Sequence, residues 1–320
     1  MHIRLPRYPF PNDWLIVGAT AVVAITVGYA NGFELPHHED TQQLIQYLVC
    51  LTLASTVRVQ NLFPKLCTYL AMLVWVGFTA KTMAHANYVL TSLNLPLWDQ
   101  HFAAADALIG INHVELREGI AQNEFVSKFL LHAYTKTYLQ LYLGIALLVL
   151  SDRRERLADT LSVVALGAVA TLVFSTLMPA AGTYPYFHMS SLTSGYLTGF
   201  DTGAYYDTYT ALRSGAINTF PTGNWHGIVT FPSFHVIYSL TGLYAVAHIR
   251  PLAIISALFS VAVAVSAVPV GGHYLIDIVG GVAIWCAAVW YVERRRAILN
   301  AATTPAPEIN DGAIPAATYA

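Results

Sequence analysis

Two short segments of this chain carry residue types suited to moving a phosphoryl group. One is Phe231-Pro232-Ser233-Phe234-His235, the other Gly271-Gly272-His273-Tyr274-Leu275-Ile276-Asp277, and each stands where a polar stretch enters a long apolar run. His273 and Asp277, four apart, share one face of a helix. A carboxylate on one imidazole nitrogen fixes the tautomer and makes the other nitrogen a better nucleophile or base. His235 is then the general acid that protonates the leaving oxygen. Pro232 suits the first turn of a helix and Ser233 can satisfy free amides there, so His235 sits near a helix N-terminus, where partial positive charge and exposed N–H groups favour phosphate. Taken singly, the histidines are ordinary interfacial residues and the aspartate a hydrogen-bonding group to a neighbouring helix. An acidic residue within an apolar span is costly unless paired, and the convergence of all three on one face favours function.

The elements that position these residues follow from hydropathy. The runs 236–249 and 252–270 can each cross a bilayer, so the chain enters and returns, bringing both histidines to one membrane face. At 56% hydrophobic and 11% charged, with a mean hydropathy of +0.52, the chain reads as an all-α polytopic membrane bundle. The expected spans are 14–31, 42–57, 66–93, 128–150, 158–178, 233–249, 252–270 and 274–292. Arg4, Arg7, Arg58, Lys65, Arg153, Arg154, Arg156, Arg250 and Arg294–Arg296 fall on one side, which is therefore cytoplasmic with both termini. Both histidine segments then face the periplasm or cell exterior. The first apolar run lacks a small-x-small cleavage pattern and is expected to remain as an anchor. Segment 94–127 is expected to lie partly flat on the outer interface, and 298–320 to be a disordered cytoplasmic tail. Cys50, Cys67 and Cys286 lack metal-ligand spacing, so no zinc site or disulfide framework is expected. His37-His38-Glu39-Asp40 is expected to be a short solvated loop rather than a metal site.

A phosphate needs a fork of N–H donors. Arg213 is the only Lys or Arg between Pro179 and Phe231, which makes it the first candidate, with a solvated loop cation as the plain alternative. Lys128, His132, Lys136 and Gln140 form a four-residue stripe along the fourth span, and Lys81 lies inside the third. Lys136 and Lys81 either face the bundle interior and bind phosphate or snorkel to the outer interface. Ser233 completes the phosphate-binding candidates. Tyr184, Tyr186 and His226 are candidates for a headgroup pocket, and equally members of an interfacial aromatic belt.

The motifs Pro232-Ser233-Phe234-His235 and, 38 positions later, His273-Tyr274-Leu275-Ile276-Asp277 resemble those of the type 2 phosphatidic acid phosphatase superfamily, Pro-Ser-x-His and His-x-x-x-Asp. The resemblance covers about the last six spans. It implies a six-helix phosphatase-like catalytic domain (63–297) preceded by two N-terminal anchor spans (1–62). It also implies that His273 attacks phosphorus to form phosphohistidine, that Asp277 orients it, that His235 is the acid, and that neither metal nor cofactor is required. Three departures mark this chain: the upstream Lys-x6-Arg-Pro signature is absent, Phe234 replaces the usual Gly, and Ala267 stands where an arginine is usual, leaving only Ser266. These departures, with Leu212-Arg213-Ser214-Gly215, resemble the branch of inositol phosphorylceramide synthases and inositol phosphotransferases. The expected function is a lipid phosphotransferase of inositol phosphotransferase type at the outer leaflet. Its partners would be a membrane lipid and an alcohol or water acceptor, with no nucleic acid and no obligate protein partner. The alternatives are a phosphatase acting on phosphatidate, a prenyl diphosphate or a lipid A phosphate, and a non-catalytic transporter or scaffold. The transporter reading is disfavoured because paired broken helices and repeats are not visible.

Overall fold

The structure is a computed structural model that describes residues 11–34, 38–189, 195–197, 203–220 and 226–303. Its regular elements are helical. α1 (Pro11–Ala30) and α2 (His38–Ser55) pack against α4 (Pro64–Thr91), with the short α3 (Val57–Leu62) between them. Two short helices, α5 (Asp99–Leu108) and α6 (His113–Ala121), lead to α7 (Glu124–Thr135), α8 (Thr137–Leu150) and α9 (Arg154–Leu177). The connection that follows holds α10 (Thr183–Tyr186) and α11 (Gly203–Ser214). The chain closes with α12 (Phe234–Val246), α13 (Arg250–Ala267) and α14 (Leu275–Thr303).

Every expected span falls on helix, but not all as one straight rod. Among the described residues α4, α9, α13 and α14 are long and apolar enough to cross a membrane alone, and α7 with α8 qualify together across a 50° bend. The three remaining spans are represented by shorter apolar helices, Leu15–Ala30, Ile45–Ser55 and Phe234–Val246. This is an integral membrane protein. The bend in the fourth span breaks the expected polar stripe: Lys128, His132 and Lys136 are exposed, whereas Gln140 turns inward. Its Nε2 lies 3.1 Å from both Ser256 O and Ser260 Oγ, and Ser239 Oγ donates to its Oε1 at 3.0 Å. One amide thereby joins α8, α12 and α13 through satisfied bonds at a depth where unsatisfied ones are costly.

α12 is the central element, packed against α8, α9, α13 and α14. Small residues permit this. A Cβ at Gly144 would lie 2.9 Å from the Ala245 Cβ, one at Gly242 2.7 Å from Gln140 Cγ, and one at Gly167 2.7 Å from Ile237 Cγ2. Close backbone approach of this kind is how helices associate where lipid removes the hydrophobic drive between them.

In segment 94–127, α5 and α6 bury Asp99, Asp106, His113 and Arg117 at 2 to 4% exposure. Two expectations are corrected by the structure. The expected loop at 37–40 is instead the start of α2 from His38 onward, with His37 outside the described residues. The tail boundary at 298 also moves, because α14 continues to Thr303; residues 304–320 lie outside the described residues. At the opposite end of the bundle from the histidines, Arg156 donates to Tyr244 O at 3.0 and 2.7 Å and to Glu293 Oε1 at 3.1 Å. That bonding ties the start of α9 to the ends of α12 and α14.

Candidate active site

The first motif is delivered by the turn into α12. The Phe231–Pro232 peptide is cis, and Pro232 lies just outside the helix rather than in its first turn, with Ser233 at the cap. Ser233 is fully buried, yet its hydroxyl makes no capping hydrogen bond. Its backbone N–H instead donates to Asp277 O at 3.0 Å, so the two motifs are joined main chain to main chain. Glycine makes that junction possible: a Cβ at Gly281 would lie 2.7 Å from Ser233 O, and one at Gly280 2.7 Å from the Phe231 ring.

The second motif opens α14. Gly272 adopts a φ of +69°, and a Cβ there would meet the Tyr184 ring at 2.7 Å, so only glycine fits on both counts. His273 Nδ1 lies 3.1 Å from Asp277 Oδ2, which also accepts the Tyr274 N–H at 2.9 Å. With Nδ1–H directed at the carboxylate, the free electron pair of His273 is on Nε2. The two imidazoles stand 6.3 Å apart between centroids at 71°. That separation admits one phosphorus within about 3 Å of one ring while its leaving oxygen hydrogen-bonds to the other. Tyr134 stacks on His235 at 4.0 Å and 23°.

A cavity of about 570 Å³ reaches His235. Its lining includes the polar residues Asn87, Tyr134, Tyr184, Tyr205, His226 and His235, and, from α4 and α9, the apolar Ala80, Met83, Ala84, Ala168 and Leu172. His273, two residues beyond the lining residue Gly271, is 2% exposed. Burial pushes the Tyr184 phenol well up against the opposing pull of Arg117, and burial followed by the neighbouring Tyr184 and Asp99 pushes Tyr205 up. Both phenols therefore stay protonated near neutral pH.

The residues singled out from sequence separate into two groups. His235, His273, Asp277 and Ser233 converge, and Tyr184 and His226 line the cavity that reaches His235. Tyr186 is 38% exposed, packed on Phe187 and outside the lining. Arg213 is spoken for elsewhere, its Nη2 donating to Leu95 O at 2.8 Å, and it does not line the cavity. Lys136 is exposed at the α7–α8 break and also lies outside the lining. Tyr134 faces the site, and two residues further on a helix has turned through about 200°, which points Lys136 outward.

Sequence reasoning missed the cation that the fold brings closest to the second motif. Arg117 Nη1 donates to Pro269 O at 2.7 Å and to the Tyr184 hydroxyl, and its guanidinium lies 4.3 Å from the Tyr184 ring centre. Its neighbours Glu115 and Glu118 give it the look of a solvated helix residue, so no local signal distinguishes it. Tyr134 was also missed. It occupies the space around Ala267 and Gly271: a Cβ at Gly271 would lie 2.6 Å from its ring and 2.7 Å from Ala267 O. Ala267, where related motifs hold an arginine, is fully buried and packs in one cluster with Tyr134.

A family model described as the PAP2 superfamily matches residues 100–291. No curated protein and no solved structure matches the chain.

Proposed function

This chain belongs to the PAP2 superfamily, whose activity is of the lipid phosphatase and phosphotransferase type, and from that premise we propose a lipid phosphotransferase of the inositol phosphotransferase kind. The observation that carries the proposal is the pairing of His273 with Asp277, opposite His235, where His235 lines a cavity that carries both polar groups and apolar residues of α4 and α9. A lipid phosphate matches that polarity, with its head at the histidines and its first methylenes between α4 and α9.

The chemistry follows from the groups in reach. His273 Nε2 attacks phosphorus, the bond from phosphorus to the leaving oxygen breaks, and His235 gives that oxygen a proton. Asp277 holds the imidazolium that results and never needs to take its proton. In the second half an acceptor hydroxyl attacks the phosphohistidine, His235 takes the hydroxyl proton, and the P–N bond breaks. Candidate donors to the phosphoryl oxygens are the first N–H groups of α12 and the Ser233 hydroxyl. Arg117 contributes a buried positive charge behind the second motif.

The acceptor separates a transferase from a phosphatase, since water resolves the same intermediate. The lining supports the transferase: Asn87, whose buried Oδ1 has no hydrogen-bond partner among the described residues, and His226 offer amide and imidazole groups suited to a polyol. The test is incubation of purified protein with labelled phospholipids, with and without inositol. A new phosphoinositol product that appears only with the alcohol is expected. Phosphate release at the same rate with or without it would make the protein a phosphatase.

A further inference from the structure

We propose that α5 is the positioning element of the nucleophile, acting through two buried carboxylates, Asp99 and Asp106, on Tyr274 and Leu275 after His273 and on the segment that holds Gly272 before it; the inference rests on His273 being the nucleophile. The carboxylates are seven residues apart, within about 20° of each other around the helix, and are 3% and 2% exposed. Asp99 accepts from the N–H groups of Ala181 and Gly182 at 2.9 and 2.8 Å and from the Tyr274 hydroxyl at 2.9 Å. Asp106 accepts from the Leu275 N–H at 2.7 Å and from His113 Nε2 at 2.9 Å. Tyr274 and Leu275 directly follow His273. The residue before it is held as well, because Thr183 N–H donates to Gly272 O at 2.8 Å and the Gly182 end of that segment is fixed by Asp99.

Aromatic packing closes the arrangement. The Tyr274 ring meets the edges of His113 at 5.7 Å and Phe102 at 5.8 Å, and His113 stacks on Phe187 at 5.3 Å. Burying two carboxylates costs several kcal/mol each unless charge-assisted bonds compensate, and apolar residues could fill the same volume without that penalty. What a carboxylate adds is several directional bonds from one side chain, here five in all, of which two end on Tyr274 and Leu275, the residues that follow His273, and three on Ala181, Gly182 and His113. Asp106 also meets one of the free N–H groups at the start of α14, where negative charge is favoured. Neither carboxylate lines the cavity, so the role is positioning and not contact with substrate.

The test uses the full-length protein in detergent with Asp99→Asn, Asp106→Asn and the milder Tyr274→Phe, which removes only the hydroxyl held by Asp99. Nitrogen-15 resonances of labelled histidine report the tautomer of His273 without any substrate. Hydrolysis of dioleoyl phosphatidate gives kcat and KM, and thermal unfolding reports stability. The expected result is that the Asn variants lose the single Nδ1–H tautomer of His273 and that kcat falls by about 10²-fold, the cost of about 1 Å of misplacement. KM should stay within about twofold, with Tyr274→Phe intermediate. An unchanged His273 tautomer in all folded variants overturns the proposal, as does a changed tautomer with unchanged kcat. If either Asn variant fails to fold, Tyr274→Phe alone decides. If wild-type protein releases no phosphate, the phosphatidate arm falls silent and the tautomer decides positioning, while the phosphoryl-transfer reading is rejected by the labelled-lipid experiment above.

Discussion

At the scale of single residues, the decisive contact is His273 Nδ1 to Asp277 Oδ2. Asp277→Asn keeps the shape of the side chain but presents an amide, which no longer enforces Nδ1–H. Turnover of the lipid substrate should fall by up to about 10⁴-fold with binding retained, the loss seen when a triad carboxylate is replaced in this way. Kinetics on purified protein, set beside His273→Ala, which is expected to be inactive, checks it, and an Asp277→Asn enzyme with wild-type kcat would remove the aspartate from the mechanism. This pair was legible in sequence because it is local: four residues on a helix define a shared face. Cations were not legible in the same way. Arg213 stands out in sequence by its isolation and Lys136 by its place in a polar stripe within an apolar span, yet where a guanidinium ends depends on distant segments, and Arg117 reaches Pro269 across 152 positions.

At the scale of elements, the site depends on how closely the turn before α12 approaches α14. Gly281→Val places a branched side chain where Ser233 O already sits 2.7 Å from an ideal Cβ. Overpacking of this type costs about 1–3 kcal/mol, so thermal unfolding in detergent should come at lower temperature and turnover should fall with it. Gly119→Ala is the control: nothing lies within 4 Å of its Cβ, and the same measurement should show no loss. The spans were readable from hydropathy, and Gly280-Gly281 was in plain view but had no meaning until Ser233 was seen against it. The α7–α8 bend was not readable, because Thr135-Lys136-Thr137 contains neither proline nor glycine. α5 and α6 escaped recognition because their buried polar residues resemble a solvated surface until their partners are known.

At the scale of the whole molecule, α9, α12 and α14 run between an arginine-bearing end and the histidines. The bias of basic residues predicts that the arginine end is cytoplasmic. Single cysteines in a background with Cys50, Cys67 and Cys286 replaced by serine test this with a membrane-impermeant maleimide. Ser214→Cys, exposed beside the site, should be labelled in intact cells, and Arg154→Cys, exposed at the opposite end, only after permeabilisation. The reverse pattern would invert the orientation. One further consequence follows from the length of α12, which has 13 residues and so rises about 20 Å. Hydrocarbon is about 30 Å thick. Its last turn is moored at the arginine face through Tyr244, and if that face marks one hydrocarbon surface, an untilted α12 would stop about 10 Å short of the other. On that placement the histidines would work below the waterline: a lipid phosphate would have to sink to meet them, and an acceptor to descend a shaft shared with hydrocarbon. Selection by depth of entry would then come before selection by fit.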